Sequence, residues 1–137
     1  MMNRLQITLS ILILILLLGA CQKVDIKLKV KNNSKHAVAF DCSLDTVLDA
    51  ESYDINIFIR DKINPGAIST QIKPGDTKGW QSLIESSKNK KLNAFIIEID
   101  TLLKYNDWEY IRKNKLYNRY ELTEEELNKK NWTIEYP

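Results

Sequence analysis

The sequence predicts a mainly β protein: a single immunoglobulin-like β-sandwich domain with two or three short helices in its C-terminal half. Three observations favour this class. Several segments alternate apolar and polar residues, turn residues separate them at short intervals, and helical periodicity appears only late in the chain. With 137 residues, 20 of them basic and 18 acidic, the chain has neither the length of a two-domain protein nor the basic excess of a nucleic-acid binder.

The N-terminus has the three parts of a secretory signal peptide. Arg4 supplies a positive charge, an apolar run covers residues 11–18, and small residues precede Cys21. The segment Leu18-Gly19-Ala20-Cys21 matches the lipobox that lipoprotein signal peptidase recognises. We therefore expect removal of residues 1–20 and lipidation of Cys21. A transmembrane helix is disfavoured, because the apolar run is shorter than the roughly 20 residues of a membrane span.

The predicted anchor leads directly into the folded part. Residues 21–23 form the lipid-anchored tether, only about 7 Å long between the lipid and the first strand, and residues 24–137 form one domain. Gln22 replaces the aspartate that favours inner-membrane retention in enteric bacteria, so we expect the outer membrane, facing the periplasm, with surface exposure as the alternative. Lys27, Lys29 and Lys31 then form either a basic row near anionic headgroups or a solvated strand face.

The first strands are predicted from alternation and from turn residues. Residues 24–31 alternate without a fault, and the turn Asn32-Asn33-Ser34-Lys35 connects them to the apolar run 36–40, so we expect a hairpin. Residues 41–53 are predicted to be a loop with one helical turn.

Two more strands are predicted in the middle of the chain. Residues 55–60 are rich in β-branched and aromatic side chains, and residues 68–72 precede the turn Pro74-Gly75-Asp76. Trp80 is expected to begin the returning strand.

The second half begins with the most apolar stretch of the predicted domain, residues 92–100, which indicates a central strand. Apolar residues then recur three apart at Leu102, Tyr105, Trp108 and Ile111, which predicts one or two short amphipathic helices ending near Asn114.

The C-terminal segment carries three further local signals. Residues 116–122 are predicted to be extended, Thr123 and Glu126 have capping-box spacing before a short helix ending at Asn131, and residues 132–137 alternate as a last strand. Its apolar residues, Trp132, Ile134 and Tyr136, share one face.

This C-terminal half resembles the uncharacterised small lipoproteins of the type common in Bacteroidetes. The resemblance lies in Ile72-Lys73-Pro74-Gly75-Asp76-Thr77, in the apolar strand at 92–99 and in the closing Asn131-Trp132-Thr133-Ile134-Glu135-Tyr136-Pro137, together with the lipobox. It implies a lipid anchor in the cell envelope and no known activity.

No motif indicates catalysis, a metal or another cofactor, so the sequence predicts a protein that is not an enzyme. His36 is the only histidine and is expected to be an exposed turn or strand residue. The acidic positions Asp41, Asp45, Asp49, Glu51 and Asp54 lack the order of an EF-hand and are interpreted as a solvated loop. Cys42 loses its only partner if Cys21 carries lipid, and it is predicted to be a buried or partly buried free thiol.

Aromatic residues crowd the last third of the chain. Tyr105, Trp108, Tyr110 and Tyr117 are the candidate contacts with a protein partner or a glycan, although Trp108 also fits a position covering the core. The first hypothesis is therefore a membrane-tethered, non-enzymatic binding or accessory domain for an envelope protein partner. The alternative is a glycan- or small-ligand-binding lipoprotein, which requires exposed rings at a concave polar site.

Overall fold

The computed structural model describes residues 23–49 and 54–137. The predictions for residues 1–20, for Cys21 and Gln22 and for Glu51 therefore lie outside the described residues. The strands are β1 (Val24–Asp25), β2 (Lys29–Asn32), β3 (Val38–Ser43), β4 (Ile68–Thr70), β5 (Lys73–Pro74), β6 (Leu92–Glu98), β7 (Asn118–Leu122) and β8 (Thr133–Tyr136). The helices are α1 (Ile55–Arg60), α2 (Gly79–Ser86), α3 (Ile99–Tyr105), α4 (Trp108–Lys113) and α5 (Glu124–Lys129), with a 3-10 turn at Asp76–Lys78.

The predicted immunoglobulin-like β-sandwich is wrong. The fold is mixed α/β, with 32% helix and 31% strand, and the helices are spread through the described chain instead of being confined to its C-terminal half. Three small sheets take the place of two large ones: β1-β5, β4-β2-β8 and β3-β6-β7. Within the described ranges, no helix is both long and apolar enough to cross a membrane.

The sheet β3-β6-β7 lies at the centre because β6 is buried on both faces. Leu92, Ala94 and Ile96 belong to one core cluster, and Phe95 and Ile97, which point the opposite way, belong to another. The first cluster packs this sheet against β2 and β8 and against α2, and the second packs it against α1, α3 and α4. A strand that is buried on both faces has a nearly continuous apolar sequence, and this pattern is the one that predicted β6.

The predicted hairpin at residues 24–40 does not form, because β2 and β3 belong to different sheets. β2 pairs with β4 in antiparallel fashion and with β8 in parallel fashion, so Lys31 lies opposite both Ile68 and Glu135. Asn32 fixes the turn after β2. Its fully buried side chain donates to the carbonyl oxygens of His36 at 2.7 Å and Ile63 at 3.0 Å.

Residues 55–60, expected to be a strand, form α1. The carboxylate of Asp54 caps this helix by accepting a hydrogen bond from the backbone N–H of Asn56 at 2.9 Å. Ile55 is buried in the second core cluster, and the ring of Phe58 packs edge-on against Trp108 at 5.0 Å between centroids. Packing of one helical face against α3 and α4 therefore overrides the β propensity of this short run.

Trp80, expected to begin a strand, lies in the first turn of α2. Its backbone N–H donates to the buried carboxylate of Asp25 at 3.1 Å, and its indole N–H donates to the Asp25 carbonyl at 3.2 Å. A Cβ on Gly79 would lie 2.6 Å from the carbonyl oxygen of Pro74, so only glycine permits this close approach. These contacts hold β1, the first described strand, against α2.

The predictions for the second half are mostly confirmed. The apolar run forms β6, the helical periodicity forms α3 and α4, and the extended segment contains β7. Thr123 and Glu126 make the predicted capping box of α5. In β8, Ile134 and Tyr136 are buried on one face and Trp132 is buried just before the strand.

Candidate binding groove

The candidate site lies between two edge strands. β7 is the outer strand of the sheet β3-β6-β7, and β8 is the outer strand of the sheet β4-β2-β8. They follow one another along the chain, joined by α5, but they do not pair with each other. A gap between the two sheets therefore opens along these edges.

Apolar side chains of both strands line this gap. Tyr120 and Leu122 lie opposite Ala94 and Leu92 of β6, so they face the first core cluster, to which Ile134 of β8 also belongs. The resulting cavity has a volume of about 260 Å³. We call it the edge groove; its lining residues are Tyr120, Leu122, Lys130, Thr133, Ile134 and Glu135.

Helix α5 joins the two strands, and Lys130, directly after it, lines the edge groove. The hydroxyl of Thr123 accepts from the backbone N–H of Glu126 at 3.2 Å, and the Glu126 carboxylate accepts from the backbone N–H of Thr123 at 2.8 Å. The bond from the Thr123 backbone N–H, together with one from the Thr123 hydroxyl at 3.0 Å, lowers the pKa of the Glu126 carboxyl group. The indole N–H of Trp132 donates to Asn128 at 2.7 Å, which ties the end of α5 to the start of β8.

Tyr136, the last residue of β8, connects this strand to the sheet β3-β6-β7. Its hydroxyl accepts from the amide of Asn118 at 3.3 Å and donates to the carboxylate of Glu98 at 3.2 Å, which links β8, β7 and β6. Burial, followed by the negative charge of Glu98, raises the pKa of Tyr136, so the phenol stays protonated and continues to donate at neutral pH.

A second concavity includes Tyr136 in its lining. We call it the polar depression; its lining residues are Glu98, Thr101, Lys115, Leu116, Tyr117, Asn118 and Tyr136. It has a volume of about 310 Å³. A carboxylate, an amide and hydroxyl groups converge here beside the ring of Tyr117, which is a composition suited to a polar ligand.

The four aromatic residues predicted to contact a partner lie mostly on the helical side of the molecule. Tyr105, Trp108 and Tyr117 are half-buried against the second core cluster, and Tyr117 packs edge-on against Phe95 at 5.4 Å between centroids. Tyr110 is 44% exposed and stacks on Tyr105 at 4.7 Å. Of the four, only Tyr117 lines a concavity described above. Their role in binding stays a prediction.

Cys42 is a half-buried free thiol within the described part of the chain, as predicted. It borders an open cavity of about 300 Å³ that Asp45, Asp49 and Lys73 also line. Burial raises the pKa of Cys42 to about 11, so the thiol is protonated at neutral pH and is not an activated nucleophile.

Asp41 departs from the predicted solvated acidic loop. Burial, reinforced by the negative charge of Asp49, raises the pKa of its carboxyl group to about 6. Asp45 and Asp54 instead lie near the surface, where they bind Lys88 and cap α1. No cluster of three or more metal-binding side chains occurs among the residues that the structure describes.

His36 is exposed, as predicted, in the turn between β2 and β3. Its ring nitrogen Nδ1 lies 3.4 Å from the carboxylate of Asp100, and both side chains are more than half exposed. This geometry forms a surface contact at the start of α3.

The sequence identified β7, α5 and β8 but missed the edge groove, since it does not show that the two strands belong to different sheets. One signal was present. Leu122 and Ile134 are apolar residues on either side of the capping box, which places the ends of both strands at the same helix.

Comparison with known proteins does not assign the chain to a family. The chain matches no family model, and neither a curated protein nor a solved structure matches it. The resemblance to small Bacteroidetes lipoproteins therefore stays a prediction.

Proposed function

We propose that the mature chain is a membrane-tethered envelope lipoprotein whose domain is a non-enzymatic accessory module that binds a protein partner in the edge groove. The supporting observation is a groove of mixed apolar and polar lining that is flanked by two edge strands. Edge strands present backbone N–H and C=O groups that can pair with an added strand, while side-chain pockets beside them provide specificity.

The groove favours an extended polypeptide segment as its occupant. Tyr120 is half-buried and offers an aromatic ring to such a segment, and Leu122 and Ile134, which are only 9% and 2% exposed, complete the apolar part of the lining. Lys130 and Glu135 at the rim place one positive and one negative charge beside it, so a segment with both charges fits better than a strongly acidic or basic one.

The anchor is tested by replacing the lipid acceptor. In a Cys21→Ser protein the lipobox has no thiol to accept the diacylglyceryl group, so we expect unprocessed precursor or release into the soluble fraction. Fractionation of cell envelopes, with immunoblotting for precursor and mature forms, measures this, and Cys42→Ser is the matched control that keeps its membrane attachment. Unchanged attachment of the Cys21→Ser protein would refute the lipid anchor.

Partner binding is tested by photocrosslinking in living cells. A benzoylphenylalanine placed at Tyr120 should capture a discrete protein adduct, because this ring lines the edge groove. The same probe at Tyr110 tests the exposed aromatic surface on α4, and a probe at the exposed Lys62 is the background control. Adducts at Tyr110 alone would contradict binding in the edge groove and indicate that the partner contacts the surface on α4. Equal labelling at all three positions would contradict a specific partner.

The second candidate function is binding of a glycan or small polar ligand in the polar depression. The observation that favours it is the convergence of Glu98, Asn118 and the hydroxyl of Tyr136 beside Tyr117. In the same experiment, a carbohydrate adduct from a probe at Tyr117, without a protein adduct at Tyr120, would support this candidate over the first.

A further inference from the structure

We propose that the outer face formed by β1, β2, β4 and β5 lies against the lipid bilayer, an inference that rests on the proposed lipid anchor. Four large apolar side chains on this face are exposed to solvent. They are Val24, Ile26, Ile68 and Ile72, with 41%, 56%, 59% and 66% of their surface exposed. Exposed apolar side chains that lie together mark an interaction surface, whereas apolar side chains scattered singly over a surface are normal.

Strand geometry places Val24 on the outer side of β1, and Ile26, which directly follows the strand, is also exposed. Asp25, between them, is 2% exposed and accepts the backbone N–H of Trp80 in the core. Since successive side chains of a strand point to opposite faces, its two neighbours point outward. Asp25 pairs with Lys73, and the exposed Ile26 and Ile72 are the chain neighbours of this last pair, just beyond the two strands.

The sheet β1-β5 adjoins β2 and β4, because the backbone N–H of Gln71, between β4 and β5, donates to the carbonyl oxygen of Leu28, between β1 and β2, at 2.8 Å. Val30 is fully buried, so Lys29 and Lys31 on either side of it point outward. Ile68 lies directly opposite Lys31, and Thr70 lies opposite Lys29, which places these side chains on the same face. We call the surface made by Val24, Ile26, Lys29, Lys31, Ile68 and Ile72 the outer face.

Apolar contact, more than charge, supplies the attraction. Lys31 lies 4.0 Å from the carboxylate of Glu135, and Lys23 lies 3.6 Å from that of Asp76, so part of the positive charge is neutralised within the protein. Lys27 leaves the predicted basic row: its ammonium group lies over the ring of Trp132 at 3.8 Å and 3.4 Å from the carboxylate of Asp25.

The position of the anchor identifies the occupant of this face. The described chain begins at Lys23, immediately before Val24. With lipid on Cys21, two residues span about 7 Å, so the bilayer is the surface that this face approaches first. Isoleucine and valine side chains gain free energy on leaving water for the boundary between headgroups and acyl chains, and flanking lysines extend their charged ends to the headgroups.

The test uses the full-length lipoprotein, purified from membranes and reconstituted in phosphatidylethanolamine and phosphatidylglycerol vesicles. An environment-sensitive fluorophore is attached at Ile72→Cys or at the matched control Leu103→Cys, both in a Cys42→Ala background. These positions are 66% and 60% exposed, so neither substitution disturbs the core. We expect quenching by nitroxide-labelled lipid to be several-fold stronger at position 72, with a blue-shifted emission.

The other outcomes separate this inference from the proposed anchor. Protein that floats with the vesicles while both labels are quenched equally, or not at all, would overturn the docking of the outer face and leave the anchor intact. A blue shift at position 72 without lipid quenching would also overturn it, since a second copy or a partner would then cover the face. Protein that fails to float would count against the anchor itself.

Discussion

Replacement of Asn32 by alanine is expected to lower the free energy of unfolding by about 2 to 3 kcal/mol. Its amide donates to the carbonyl oxygens of His36 and Ile63, and its Oδ1 accepts from the backbone N–H of Ser34 at 3.0 Å and from the Ser34 hydroxyl at 2.7 Å. Alanine removes all four hydrogen bonds from a fully buried position and leaves a void there. Urea denaturation followed by circular dichroism measures the loss.

Asn33→Ala is the matched control for this position. Asn33 is exposed, and its side chain makes a single surface bond to Glu135, so we expect a change within about 0.5 kcal/mol. Equal stability of the Asn32→Ala and Asn33→Ala proteins would contradict the role assigned to Asn32.

The Asn32→Asp variant distinguishes the loss of the hydrogen bonds of Asn32 from the loss of its volume. Asn32→Asp keeps the size of the side chain but turns a carboxylate toward two carbonyl oxygens, so at neutral pH it should destabilise more than alanine does. Burial raises the pKa of such a carboxyl group in the folded protein, and the penalty should shrink as the pH falls and the group becomes protonated.

Asp41→Asn is expected to stabilise the protein at neutral pH by about 1 to 2 kcal/mol. Burial and the charge of Asp49 disfavour the carboxylate of Asp41, while the backbone N–H of Cys42 and the charge of Lys73 offset part of that cost. An amide of the same shape carries no charge to desolvate and can still accept from Cys42. The figure is smaller than the full shift implies, because solvent reaches part of the side chain.

The sign of the pH dependence follows from the direction of this shift. Its pKa is raised from 3.8 to about 6 on folding, so between these values the folded protein holds the proton more tightly than the unfolded chain. The contribution of Asp41 to stability therefore falls as the pH rises through this window. The advantage of Asp41→Asn over the wild type should grow from pH 4 to pH 7 and then level off.

Asp45→Asn is the control, because the pKa of Asp45 is shifted in the opposite direction from that of Asp41. Hydrogen bonds from Lys88 and Thr46 lower the pKa of this exposed carboxyl group, so its neutralisation should not stabilise the protein at any pH in this range. Unfolding curves at several pH values measure both variants against the wild type. An Asp41→Asn protein with the same pH profile as the wild type would contradict the raised pKa.

Local signals explain which elements could be predicted. The central strand β6 is continuously apolar, the helices after it recur at helical spacing, and Thr123 with Glu126 is a complete helix start within four residues. Each of these signals depends on residues that are neighbours in the chain, so no knowledge of distant pairing is needed.

The misassigned elements depend on distant contacts. The segment 55–60 is too short for periodicity to separate a strand from a helix, and the packing of α1 against α3 and α4 decides the outcome. The first predicted hairpin failed for a related reason. Turn residues at 32–35 are compatible with a hairpin, but β2 pairs with β4 and with β8, which lies a hundred residues away.

The sequence by itself determined the local elements of the second half, the half-buried thiol of Cys42 and the exposure of His36, because burial pattern and capping are encoded by adjacent residues. The predicted leader and lipid acceptor belong to the same kind of local signal and await the Cys21→Ser test. Only the tertiary structure decided the mixed α/β class, the placement of β7 and β8 in separate sheets, and hence the edge groove and the outer face. The physical reason is that strand pairing is selected by the burial of side chains remote in sequence, for which no short segment carries a signal.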